Sequence, residues 1–182
     1  MQMSIRRVFS GEGLAAQLAS VARIVTRTSG GIGWVASDEG PEVFSQMEAW
    51  FEARLRSNLV KVYVADAGTP GSPVIVGSVQ RVDKDRVHSR AAQYRSAVER
   101  LFVLPEHGTK GIGRQLMLQL IADARRDQLQ QLELDVRKAP GQTRADALYR
   151  SLDFKALCTI PNYAVVDGQV YEGVLMALDL RS

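Results

Sequence analysis

The chain has 182 residues, 46% hydrophobic and 24% charged, which suits a single domain (1–182) with an ordinary buried core. Its formal net charge is +3, and the basic residues of 81–100 and 110–126 form no aromatic-interleaved strip, so no nucleic-acid partner is expected. The first residues carry no apolar signal region, no run is apolar enough to span a bilayer, and the one cysteine forms no internal disulfide, so no membrane role and a cytoplasmic setting are expected.

Residues 3–9 predict a short strand. From Gly13 to about Arg27, the positions Leu14, Leu18, Val21, Ala22 and Val25 recur at helical spacing. Residues 28–41 break regular structure with four glycines and a proline, and Pro41 suits the first position of a second helix running to Ser57. Phe44, Met47, Trp50, Phe51 and Leu55 make its apolar stripe. Strands are predicted over Val60–Ala65 and Val74–Val82, joined by the turn-rich 68–73. Residues 83–91 predict an exposed loop with His88 on the surface.

A strand carrying Ala97, Glu99, Leu101 and Val103 on one face leads to Pro105, which ends it because proline donates no ladder hydrogen bond. A helix follows from Ile112 to about Gln128, with Leu116, Leu120, Ile121 and Ala124 facing inward. Beyond it lie a strand over Gln131–Val136, a helix over Gln142–Leu152, and a strand pair, Phe154–Val165 and Val170–Leu180, turned by Asp167-Gly168. Cys158 falls in an apolar run, where a small buried hydrophobe is expected. The order β-α-α-β-β-β-α-β-α-β-β is that of an α/β mixed sheet, and the crossover helix at 112 makes the strands on either side of it parallel.

The stretch from Leu101 to Leu116 is the most informative. Glycines at 108, 111 and 113 sit where a strand hands over to a helix. The first backbone N–H groups of a helix lack internal partners and carry the positive end of its dipole, so an anion that approaches them closely is held. The spacing fits neither the dinucleotide G-x-G-x-x-G nor the nucleotide-triphosphate G-x-x-x-x-G-K-[ST].

It resembles V-x-P-x-x-R-G-x-G-x-G, the coenzyme A loop of the GNAT N-acetyltransferase superfamily, through Val103, Pro105, Gly111 and Gly113. Gly108 replaces the usual Arg or Gln, and Thr109 the usual Gly. A second stretch, Leu132-Glu-Leu-Asp-Val-Arg137 followed by 142–154, is similar to the family's L-x-L-E-V-R and N-x-x-A-x-x-L-Y-x-x-x-G-F, with Asp135 for Glu, Gln142 for Asn and Asp153 for Gly. More distantly, Gly30-Gly31, 103–105, 113–117 and Ile160-Pro-Asn-Tyr163 look like the tabtoxin-resistance group of small-molecule acetyltransferases.

The resemblance implies a GNAT-like mixed sheet and acetyl-CoA as co-substrate. The residues it places on the cofactor are Leu101, Phe102, Val103, Gly108, Thr109, Lys110, Gly111, Ile112, Gly113, Arg114 and Gln142. The implied reaction is direct attack of a neutral amine on the thioester in a ternary complex, helped by a base for the amine and an acid for the departing thiol. Tyr149 occupies the family's tyrosine position and is the expected acid.

For the base there are two candidates. Asp135 is at the family's acidic position, on the polar side of its strand with Gln131 and Glu133. Glu99 lies two residues from Ala97, where many relatives carry a glutamate. Either carboxylate has a structural alternative, Glu99 pairing with an arginine and Asp135 with loop backbone. Trp34 and Tyr163 are the expected acceptor contacts, with packing as their alternative. The expected acceptor is a small-molecule primary amine. A protein or peptide amine is the rival substrate, a degenerate coenzyme A-binding module the rival class, and a homodimer is left open.

Overall fold

Helical spacing and strand alternation translate into the expected element order in a computed structural model, which describes residues 3–11, 13–29, 32–34, 40–69, 71–85, 90–138 and 143–181. The elements are β1 (Ser4–Val8), α1 (Leu14–Ser29), α2 (Pro41–Arg56), β2 (Val60–Asp66), β3 (Ile75–Asp83), β4 (Arg95–Val103), α3 (Ile112–Arg126), β5 (Gln131–Arg137), α4 (Thr143–Arg150), β6 (Lys155–Val166) and β7 (Gln169–Asp179). Single 3₁₀ turns at Arg90–Ala92 and Pro105–His107 are additions to the sequence reading. The seven strands hydrogen-bond in the order β1-β2-β3-β4-β5-β7-β6. His88 and Gln142 lie outside the described residues.

Two compact units are present, divided within β3 after Val82, within β4 after Val98 and within α3 after Asp123. The first contains β1 to β3, α1, α2, the end of β4 and most of α3. All five inward positions predicted for α1 are buried, as are Met47, Phe51 and Leu55 of α2. Phe51 meets Phe102 of β4 edge-on, 6.3 Å between ring centres. Ile112, Leu116, Leu120, Ile121 and Ala124 of α3 are buried as their spacing predicts.

Asp66, at the end of β2, organises the turn to β3. Its Oδ1 accepts from the backbone N–H groups of Gly68 (2.9 Å) and Val74 (3.0 Å), and its Oδ2 from Arg6 (2.9 Å). Burial by itself would raise this carboxyl, but the Gly68 amide, Arg6 and the Val74 amide together hold it below the usual range. A depressed carboxyl stabilises the fold above its unfolded pKa of ~3.9, and that contribution is lost as pH falls through the folded value. Asp66→Asn is therefore expected to cost about 1 kcal/mol at pH 7, discounted for the water that reaches Arg6, with the deficit vanishing in acid. Urea titrations of both proteins at pH 7 and pH 3 check this.

The second unit contains residues 83–98 and the chain from Ala124 onward. Here β4 and β5 are parallel, as predicted, from Arg95↔Gln131 to Ala97↔Glu133. β5 then pairs antiparallel with β7 over its whole length, Gln131↔Asp179 to Arg137↔Gly173. Leu132, Leu134, Phe154, Met176 and Leu178 fill the core. Asp167 (φ 50°) and Gly168 (φ 77°) are both left-handed, as the tight hairpin turn between β6 and β7 requires.

One expectation fails here: Cys158 is exposed. The run is apolar in composition, but β6 is the last strand of the sheet, and residues 155–159 are all exposed. A register shift between Ala156 and Cys158 adds to the irregularity.

Candidate active site

In the first unit, the cradle is built where β4 ends. Leu101 and Val103 are half-buried while Phe102 turns its ring to the core. The Leu104 N–H donates to the Val76 carbonyl (2.8 Å), and Pro105–His107 then forms its 3₁₀ turn. That turn occupies two amides: Gly108 donates to the Pro105 carbonyl (3.0 Å) and Lys110 to that of His107 (3.2 Å). The expectation that amides from 108 onward face an anion is thereby narrowed to the helix start proper.

Gly111 has φ 70°, with open space where a Cβ would stand, and α3 begins at the next residue. The Gln115 N–H is bonded to the Gly111 carbonyl (3.1 Å), so the amides of 111–113 are among those a helix start leaves without internal partners. Thr109, Lys110 and Arg114 are exposed around them, and Gly113 is half-buried. This open, glycine-lined helix start fits a phosphate-bearing cofactor.

The end of β4 departs from simple alternation. Arg100 has φ 54°, a left-handed conformation that costs a non-glycine residue about 1–3 kcal/mol, so the face predicted to run from 97 to 103 is interrupted. Side-chain contacts offset that cost. The Arg100 guanidinium lies 4.8 Å from the Trp34 ring and 5.0 Å from that of Trp50, and donates to the Ile32 carbonyl. Arg54 stacks on Trp50 (4.4 Å) and holds Glu99 at 2.8 Å. Glu99 thus takes the arginine-paired alternative. Trp34 packs edge-on against Trp50 (5.2 Å) and beside Phe51 (5.9 Å), so its ring is part of an aromatic cluster. The sequence reading missed Arg54 and Arg100, since nothing in the spacing marks an arginine for an aromatic neighbour.

In the second unit, three predicted residues come together. Asp135 on β5 is exposed on the polar face, as predicted, and accepts a hydrogen bond at Oδ2 from the Tyr163 hydroxyl, not from loop backbone. Tyr149 on α4 is buried, its ring 5.9 Å from that of Phe154. Burial first and the Asp135 charge second push its phenol up to about 12. Tyr149 therefore keeps its proton throughout the neutral range.

Tyr163 reaches Asp135 through a bulge. The β6–β7 register shifts between Ile160 and Ala164, and Asn162 has φ 53°. The ring then lies over Gly173 of β7, where a Cβ would stand 2.5 Å from Tyr163 Cγ. Gly173 was missed as a site residue, although a lone glycine inside a strand pattern is a signal of close approach. Among the described residues, no group of three or more His, Cys, Asp or Glu side chains is placed to hold a metal ion. No helix among them is long and apolar enough to cross a membrane.

Residues 26–154 match the model of the acetyltransferase (GNAT) family, and the chain belongs to that family, whose reaction is acetyl transfer from acetyl-CoA. No curated protein matches it in sequence. Among solved structures, an N-acetyltransferase from Staphylococcus aureus Mu50 is similar at 22% identity and a TM-score of 0.75, with 99% of each chain covered. YncA of Salmonella typhimurium, a putative acetyltransferase solved with acetyl-CoA, is similar at 23% identity and a TM-score of 0.74, covering 99% of this chain and 95% of its own. The ribosomal-protein-S18-alanine N-acetyltransferase of Escherichia coli gives 16% identity and 0.72, covering 98% and 94%. At these identities the likeness concerns the fold.

Proposed function

We propose that this acetyltransferase moves the acetyl group of acetyl-CoA onto a primary amine of a small molecule, by direct attack and within the cytoplasm. The amides of 111–113 hold phosphate, with Lys110 and Arg114 as cationic partners and Gly108 and Thr109 shaping the approach. The backbone of Leu101, Phe102 and Val103 offers strand-type hydrogen bonds, and Gln142 belongs to the same set by resemblance. When bound, acetyl-CoA supplies the activated thioester. Asp135 takes a proton from the acceptor ammonium, and Tyr149 donates toward the sulfur that leaves.

The observation that carries this reading is the pairing of a phenol kept protonated with an exposed carboxylate whose charge reaches it. A compact acceptor is supported by the lie of Tyr163 over Gly173 and onto Asp135, which covers part of the carboxylate. Glu99 is the weaker candidate for the base because Arg54 already engages it.

Free-thiol release from acetyl-CoA, screened across small amines and peptides, tests the reading. Turnover with small amines is expected. Turnover with peptides alone would move the acceptor class, and none with either would leave a coenzyme A-binding module. On the best amine, Asp135→Asn is expected to lower kcat/KM by at least about 10²-fold, because the base is gone. Glu99→Gln should leave kcat/KM nearly intact; if it alone lowers it, Glu99 is the base.

A further inference from the structure

We infer that Tyr163 is a positioning residue: seated on Gly173, it fixes the Asp135 carboxylate by holding Oδ2 and leaves Oδ1 to take the acceptor's proton. This rests on the acetyl-transfer reading above. The observations are all in one unit. Asp135 pairs with Leu175 and Arg137 with Gly173, so Asp135, Arg137 and Gly173 share one face of the β5–β7 ladder. Tyr163 arrives on that face from the bulge in β6, and the absent side chain at 173 makes the room its ring needs.

An aspartate on a strand face otherwise has several χ1 wells open to it, so a base there spends part of its time turned away from the acceptor. A fixed donor on one oxygen removes that freedom. Other charged groups share the same face: Asp179 is bound by Arg181 (2.7 Å), and Lys155 reaches it from β6 opposite Ala177. Glu133 is bound by Arg95 (2.8 Å) and by the Gln131 amide (2.8 Å), and Arg137 stacks 5.0 Å from the Tyr171 ring. From α4 the facing titratable group is the Tyr149 phenol.

The step balances simply. The acceptor ammonium gives one proton to Asp135 Oδ1, and the neutral nitrogen forms the C–N bond as the C–S bond breaks. Tyr149 donates a hydrogen bond to the developing thiolate, and the proton lost by nitrogen on becoming an amide ends on the sulfur. Asp135 then releases its proton to water. Tyr163 exchanges no proton at any point.

The test is Tyr163→Phe, which keeps the ring and removes the donor. Acetyl-CoA affinity is expected to stay unchanged while kcat falls, by at most about 10²-fold, the cost of misplacing a reacting group by an ångström. In an Asp135→Asn background the same substitution should cost nothing further, because its target is already absent. Gly173→Ala, which lifts the ring but keeps the hydroxyl, should reproduce the kinetic pattern.

A rise in amine KM alone, with kcat unmoved, would overturn the inference and make Tyr163 an acceptor contact. Additive losses in the double variant would also overturn it. ¹³C NMR of the Asp135 carboxyl reads the contact without turnover. A carboxyl resonance that moves in Tyr163→Phe, in a protein that acetylates nothing, would retire the acetyl-transfer reading and uphold the tyrosine–aspartate contact. A resonance that does not move would retire the contact itself.

Discussion

Tyr149→Phe is expected to lower kcat by about 10²-fold while leaving acetyl-CoA affinity intact, the low end of the range for an acid in proton transfer. The size follows from the mismatch between donor and recipient. The Tyr149 phenol is held up to about 12, whereas a thiol ionises near ~8.5. Complete transfer is uphill by roughly 3.5 units, or about 5 kcal/mol, so the phenol works chiefly as a hydrogen-bond donor to charge developing on sulfur. The same number gives the pH dependence its sign. The donor is lost only as pH rises toward 12, so Tyr149 should produce no alkaline downturn between pH 7 and 10. Stopped-flow turnover across that interval reads both effects. An unchanged kcat would reduce Tyr149 to packing against Phe154.

Gly113→Asp should all but eliminate acetyl-CoA binding. At an effective dielectric of ~20, two like charges ~4 Å apart repel by about 4 kcal/mol, roughly a 10³-fold loss of affinity. The fold is expected to survive, because an acidic residue in the first turn of a helix is favoured by its dipole. Gly113 is the second residue of α3, and its surroundings are half-open. Calorimetry of Gly113→Asp beside Gly113→Ala separates charge from bulk: the alanine variant should bind far better than the aspartate. Equal affinity of Gly113→Asp and the parent protein would put the phosphates elsewhere.

The sequence was most legible where a regular period met a single environment. The inward stripes of α1 and α3 were readable because their apolar positions keep one helical period, and the Asp167-Gly168 hairpin because few residues adopt two left-handed conformations in succession. The strand-to-helix turn before α3 was readable through its glycines.

What the sequence hid were features set by partners distant in the chain. Arg100 takes a left-handed conformation because Trp34 and Trp50 receive its guanidinium, and no local pattern announces that. Cys158 looked buried because its neighbours are apolar, yet exposure on an edge strand depends on where the sheet stops. Tyr163 was singled out as an acceptor contact, but its partner on β5 was invisible until the bulge fixed its direction.

The bulge in β6 also bears on how the molecule avoids its own kind. An edge strand of twelve residues carrying Leu157 and Val165, both more than half exposed, would ordinarily template edge-to-edge pairing with another chain. Pro161 donates no hydrogen bond, and the register shift from Ile160 to Ala164 breaks the row of outward N–H and C=O groups in its middle. What remains are two stubs, residues 155–159 and 164–166, each too short to recruit a stable foreign strand. Straightening the segment to give a better-paired hairpin would therefore do two things at once: withdraw the hydroxyl from Asp135 and create a continuous adhesive edge.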